Sequence, residues 1–167
     1  MKRDEALFPL THDHHHALGQ ARRLRGAADA ELPERAAQAR EFLSFFAADT
    51  IAHFREEEEL IFPLVIDEPA ARATITRLLL EHVKLHALVT ELRAELVDAE
   101  PTTETMSSIA ALLQHHIRLE EKVFFPLVED MARDVLSAVE LGPRRRATAT
   151  NQMDEGRGAI RIGAERP

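Results

Sequence analysis

Residues His53 to Val65 read HFREEEELIFPLV, and His116 to Val128 read HIRLEEKVFFPLV. Eight of the thirteen positions are identical without a gap: His, Arg, two Glu, Phe, Pro, Leu and Val. In each copy a His precedes a Glu by four residues, His53 with Glu57 and His116 with Glu120. On an α-helix that spacing puts both side chains on one face, about 6 Å apart along the axis, so both can reach one point beside the helix. A fainter echo precedes each copy: Asp13-His14 and Glu81-His82. The chain therefore reads as two related helix pairs packed about a pseudo-twofold axis.

The surrounding sequence supplies the four helices. Residues 1–140 are rich in Ala, Leu, Glu and Arg, hold only Gly19 and Gly26, and repeat apolar residues every three or four positions. Breakers separate a first helix from about Leu10 to Ala28, a second from Pro33 to about Ile66, a third opening at Pro69, and a fourth after Pro101-Thr102-Thr103 that runs to about Val139. Pro63 and Pro126 fall late in the second and fourth segments, where each is expected to kink or end the helix. Short connections make sequential neighbours antiparallel, so the expected fold is all-α, an up-down-up-down four-helix bundle over residues 1–140. Residues 141–167 hold four of the six Gly and the run Arg144-Arg145-Arg146, with six Arg against three acids. They read as an irregular tail.

A test of helix faces picks out the chemistry. The first stripe is Leu10, His14, Ala17, Leu18, Ala21 and Leu24; the third is Ile75, Leu78, His82, Leu85, Val89, Leu92 and Leu96. The second carries Phe42, Phe46, His53, Glu57, Leu60 and Leu64, and the fourth Ile109, Leu112, His116, Glu120, Val123, Leu127 and Met131. His82 and His86 add a second i, i+4 pair of imidazoles on the third helix. Seven ionisable groups thus converge: His14, His53, Glu57, His82, His86, His116 and Glu120. Burying charge unpaired is costly, and a bound metal is the usual way such a cluster becomes tolerable. His12, His15, His16 and His115 fall off the stripes and read as surface or outlying groups, and Glu56 to Glu59 on its own reads as a solvated face. Imidazoles with carboxylates suit iron, and also manganese or zinc, while two carboxylates from opposite helices favour a dinuclear site.

Composition narrows the function classes. The chain of 167 residues has no Cys, Tyr or Trp, which excludes thiolate metal sites, disulfides and tyrosyl ligands. Its formal charge of −8 argues against a general nucleic-acid binder. Charged residues interrupt every apolar run before a membrane span is reached, and MKRDEALFPL lacks the apolar core of a signal peptide, so a cytoplasmic protein is expected. No apolar stripe is left over that demands a partner helix, and oligomeric state stays open.

The order His14, His53-x-x-x-Glu57, His82-x-x-x-His86, His116-x-x-x-Glu120, with Phe-Pro after each acidic motif, resembles the hemerythrin family and its bacterial HHE relatives over roughly residues 8–131. The resemblance implies two iron ions bridged by Glu57, Glu120 and an oxo or hydroxo group. It further implies His82, His86 and His116 on one iron and His14 and His53 on the other, with an open coordination place near Leu18. The implied function is binding of dioxygen, nitric oxide or peroxide. The alternatives are a peroxide- or nitric-oxide-detoxifying enzyme, an iron-handling protein, and a structural bundle holding zinc.

Overall fold

Proline and threonine set the ends of the rods. The computed structural model describes residues 3–98, 100–139 and 141. A short turn, Glu5–Leu7, is capped by Asp4, whose carboxylate accepts from the Ala6 amide at 3.0 Å, and leads into α1, Phe8–Ala27. The second rod opens as α2, Leu32–Phe45, with Pro33 in its first turn, where its missing N–H is an unused donor anyway. It continues through a wide π turn Phe46–Thr50, α3 (Ile51–Glu56), a second π turn Glu57–Ile61 and α4 (Phe62–Val65). The third rod is α5, Pro69–Asp98. The fourth is α6, Thr103–Leu119, then a π turn Glu120–Phe124 and α7, Phe125–Met131. The Thr102 hydroxyl caps α6 by accepting from the Thr105 amide at 3.1 Å, and Glu95 of α5 accepts from the Thr102 amide at 2.9 Å.

α1 packs on α2 and α6, and α5 packs on the same two, which closes the four-helix ring expected of an all-α bundle. There is no strand among the described residues. The apolar interior is divided. One cluster gathers Leu24, Phe42, Phe46, Leu85, Leu92 and Ile109; the other gathers Leu7, Leu10, Ile61, Ile75, Leu78 and Phe124. His14 lies on α1 between Leu10 of one cluster and Ala17 of the other, and His82 on α5 between Leu78 and Leu85. A polar layer therefore sits between two greasy ones. Each fully buried Leu, Ile or Phe contributes about 1.5–3 kcal/mol. That offsets the several kcal/mol that each buried ion costs.

The π turns change the register of the core. The Phe62 amide donates to the Glu57 carbonyl and the Phe125 amide to the Glu120 carbonyl, five residues back rather than four. One extra residue enters each turn, so the buried stripe slips by one position. Ile61 and Val65 are buried where Leu60 and Leu64 were expected, and Phe124 and Val128 where Val123 and Leu127 were expected. Val123 and Met131 are exposed. The helices do not end at Pro63 or Pro126, which occupy the first turns of α4 and α7 just beyond the wide turns. The fourth rod instead ends at Met131, short of Val139, because Ala132 leaves helical geometry (φ −122°, ψ 19°) before a last turn, α8, Arg133–Leu136. On the outer face of α5, Leu79, Leu80 and Val83 are exposed, an apolar patch the sequence reading left uncounted. The Gly- and Arg-containing tail lies outside the described residues except for Leu141, which packs against the second apolar cluster.

Candidate metal centre

Four helices deliver six of the seven expected donors to one buried layer. His14, His53, Glu57 and Glu120 form one group, and Glu57, His82, His116 and Glu120 form another, each with its donor atoms within 4.8 Å of one another. Glu120 sends Oε1 to His116 Nε2 and Oε2 to His14 Nε2, both at 3.1 Å. Glu57 sends Oε1 to His53 Nε2 at 3.3 Å and Oε2 to His82 Nε2 at 3.5 Å. Each carboxylate thus spans the two histidine pairs, one oxygen to each. Within the pairs, His14 Nε2 faces His53 Nε2 at 3.1 Å, and His82 Nε2 faces His116 Nε2 at 3.1 Å.

The outward nitrogens explain why the rings point this way. His14 Nδ1 donates to Glu121 Oε1 at 2.7 Å and His82 Nδ1 to Glu58 Oε1 at 2.7 Å. His53 Nδ1 donates to Asp13 Oδ2 at 3.3 Å and His116 Nδ1 to Glu81 Oε2 at 3.2 Å. An ionised carboxylate only accepts, so each Nδ1 carries a hydrogen, and each Nε2 faces inward, where it offers a lone pair once its own proton is displaced. The four pairings obey the pseudo-twofold: Asp13 and Glu81, next to His14 and His82, hold His53 and His116, while Glu121 and Glu58, next to Glu120 and Glu57, hold His14 and His82. These four carboxylates, which ligand spacing missed, hold the rings from behind. The signal was present, since Glu58 and Glu121 are identical in the repeat and Asp13 and Glu81 form its echo.

The layer is unsatisfied without a cation. All four oxygens of Glu57 and Glu120 are buried and accept no hydrogen bond, although imidazole nitrogens stand beside them. Donor atoms about 2.1 Å from a shared ion stand about 3.0 Å apart at a right angle and about 3.4 Å apart at a tetrahedral one, which matches the spacings found. The protonation balance carries the same message. Burial pulls the His53 imidazole down, but Glu57, Asp13 and Glu120 outweigh it and push the group up to about 10. His116 is likewise lowered by burial and raised further by Glu120 and Glu81, to about 10. Burial raises Glu120, and His116 and His14 override it, holding the carboxyl well below its ordinary range. The carboxylates stay ionised and draw positive charge to the layer. Protons can supply that charge, and a metal ion can replace them.

His86 stands outside both groups and is exposed. The expectation that it joins His82 and His116 is not met by this geometry. The Phe54 ring stacks on His82 with centroids 3.7 Å apart and planes 14° apart, and the edges of Phe46 and Phe54 meet His86 at 5.3 and 6.0 Å. The off-stripe histidines 12, 15, 16 and 115 are exposed, as expected.

The two halves differ in how tightly they are sealed. Phe62 stacks over His82 (6.1 Å, 18°) and its repeat partner Phe125 over His14 (5.5 Å, 10°). Phe54 presses on His82 as well, but its repeat counterpart is Ile117. Against His14, His53 and His116 there is a cavity walled also by Phe54, Ala17, Leu113, Ile117 and Glu120, with about 30 Å³ of room for the centres of water-sized molecules. One or two such molecules fit.

Helices that turn imidazole and carboxylate donors into a common buried layer, each ring steadied from behind by an acid, define a metal-binding four-helix bundle. The chain belongs to the hemerythrin HHE cation-binding domain family, whose model matches residues 7–128. No curated protein and no solved structure matches it. Among the described residues no helix is long and apolar enough to cross a membrane.

Proposed function

We propose that this bundle holds a pair of iron ions and binds a small ligand, dioxygen, nitric oxide or peroxide, on the side of His14 and His53. His14 and His53 would hold one ion and His82 and His116 the other, with Glu57 and Glu120 each giving one oxygen to both. When bound, the pair supplies redox chemistry and an open coordination place. The protein supplies the rest. Glu121, Glu58, Asp13 and Glu81 hold the four rings in the tautomer that offers Nε2, and Phe125 and Phe62 keep bulk water off two of them. The observation that favours this side is the cavity: it is lined by both His14 and His53 and by Glu120, but of the other pair only by His116, and it reaches neither Glu57 nor His82. The same cavity also serves the second reading, a peroxide- or nitric-oxide-consuming enzyme, since turnover needs the same access.

Anaerobic reduction followed by rapid mixing with each gas, and with peroxide, tests both readings. A stable coloured adduct with dioxygen or nitric oxide supports binding, and sustained consumption of peroxide or nitric oxide supports the enzyme. Ala17→Leu, which adds carbon to the cavity wall, is expected to slow the reaction while the iron content stays unchanged. An unaltered rate would remove the cavity from the access route.

A further inference from the structure

We propose that His12 and His16 form a third, exposed metal-ion site on the outer face of α1, one that takes a borderline divalent cation such as Ni²⁺, Cu²⁺ or Zn²⁺ with water completing its shell. Their spacing is i, i+4, which places both rings on one helix face. The two inward pairs provide an internal yardstick for what such a pair can hold. His14 and His53 have centroids 4.9 Å apart with planes at 59°, and His82 and His116 have 4.7 Å and 62°. His12 and His16 stand at 4.5 Å and 56°. The exposed rings therefore hold a separation and tilt close to those of the two inward pairs. Two imidazoles with water donors would suit Ni²⁺ and Cu²⁺ better than harder cations. The position adds a consequence. His16, Phe45 and Asp49 line both the inner cavity and the neighbouring surface cleft, so an ion on His16 would lie beside that cavity.

The test uses the tag-free full chain, loaded with iron, titrated with Ni²⁺ by calorimetry and equilibrium dialysis. One Ni²⁺ per chain is expected beyond the iron. His12→Gln and His16→Gln should each weaken its binding by at least about tenfold, because losing even an outer partner of a ligand costs that much. His15→Gln, which changes an exposed neighbour one position away, should leave the Ni²⁺ affinity as it was. Iron content, measured separately, reports on the inner layer and stays constant in all three variants. Absence of Ni²⁺ binding, or equal binding in the wild type and in both His12→Gln and His16→Gln, would overturn the proposal.

Discussion

His14 Nε2 and His53 Nε2 face each other at 3.1 Å inside the bundle, while their Nδ1 atoms are committed to Glu121 and Asp13. Two neutral rings in this arrangement oppose lone pair to lone pair, so the contact requires a proton or a cation between them. The same relationship recurs at His82 and His116.

Because Glu57 and Glu120 each face both histidine pairs, removing one of these charges should unsettle both ions at once. Glu57→Gln is expected to reduce bound iron at both positions. His53→Ala, which touches a single pair, should cost mainly one ion. Iron content per folded chain, with helicity checked by circular dichroism, distinguishes the two patterns.

The acids behind the rings should tune affinity without supplying a donor. Glu121 is raised by burial and lowered further by His14, Arg3 and Thr11, to about 2, so it stays charged at any working pH. Glu121→Gln and Glu58→Gln should each weaken iron binding about 10- to 100-fold. Competition with a chelator of known strength measures this. An unchanged affinity in both variants would show that the rings need no external support.

His86→Ala should leave the iron content as it is in the wild type, since His86 lies outside both donor groups and faces the edges of Phe46 and Phe54. Loss of one ion on this substitution would show that α5 supplies two imidazoles, as the family resemblance implies.

Metal-free protein should lose stability as pH rises. His53 and His116 both shift from 6.5 to about 10 on folding. Below 6.5 both states hold the protons and the stabilisation is complete; between 6.5 and about 10 the unfolded chain has released protons that the folded chain keeps, so stability falls. With iron bound, the ion replaces those protons and the slope should flatten. Urea unfolding of chelator-treated and iron-loaded protein across this range checks the contrast.

What was legible in the sequence was what periodicity and a repeat can encode. His14, His53, Glu57, His82, His116 and Glu120 were found because a 3.6-residue period sorts inward from outward positions up to Glu57 and Glu120. Beyond those residues the buried stripe slips by one position, because the π turns Glu57–Ile61 and Glu120–Phe124 shift the backbone hydrogen bonds, a shift that a fixed 3.6-residue period does not follow. Leu60, Leu64 and Val123 were misread for that reason. The outer carboxylates were overlooked because their partners lie on other helices: the 24 positions between Glu58 and His82, and the 107 between His14 and Glu121, are not a helical spacing. His86 has the same i, i+4 spacing, yet it lies exposed beside Phe46 and Phe54 and outside both donor groups, a placement that depends on tertiary packing and not on spacing.

The most direct measurement is iron stoichiometry together with Mössbauer spectroscopy of protein reconstituted with isotopically enriched iron. About two irons per chain, magnetically coupled because Glu57 and Glu120 join their sites, are predicted. A single uncoupled iron, or a folded chain that takes up no iron at all, would contradict a shared layer built on those two carboxylates.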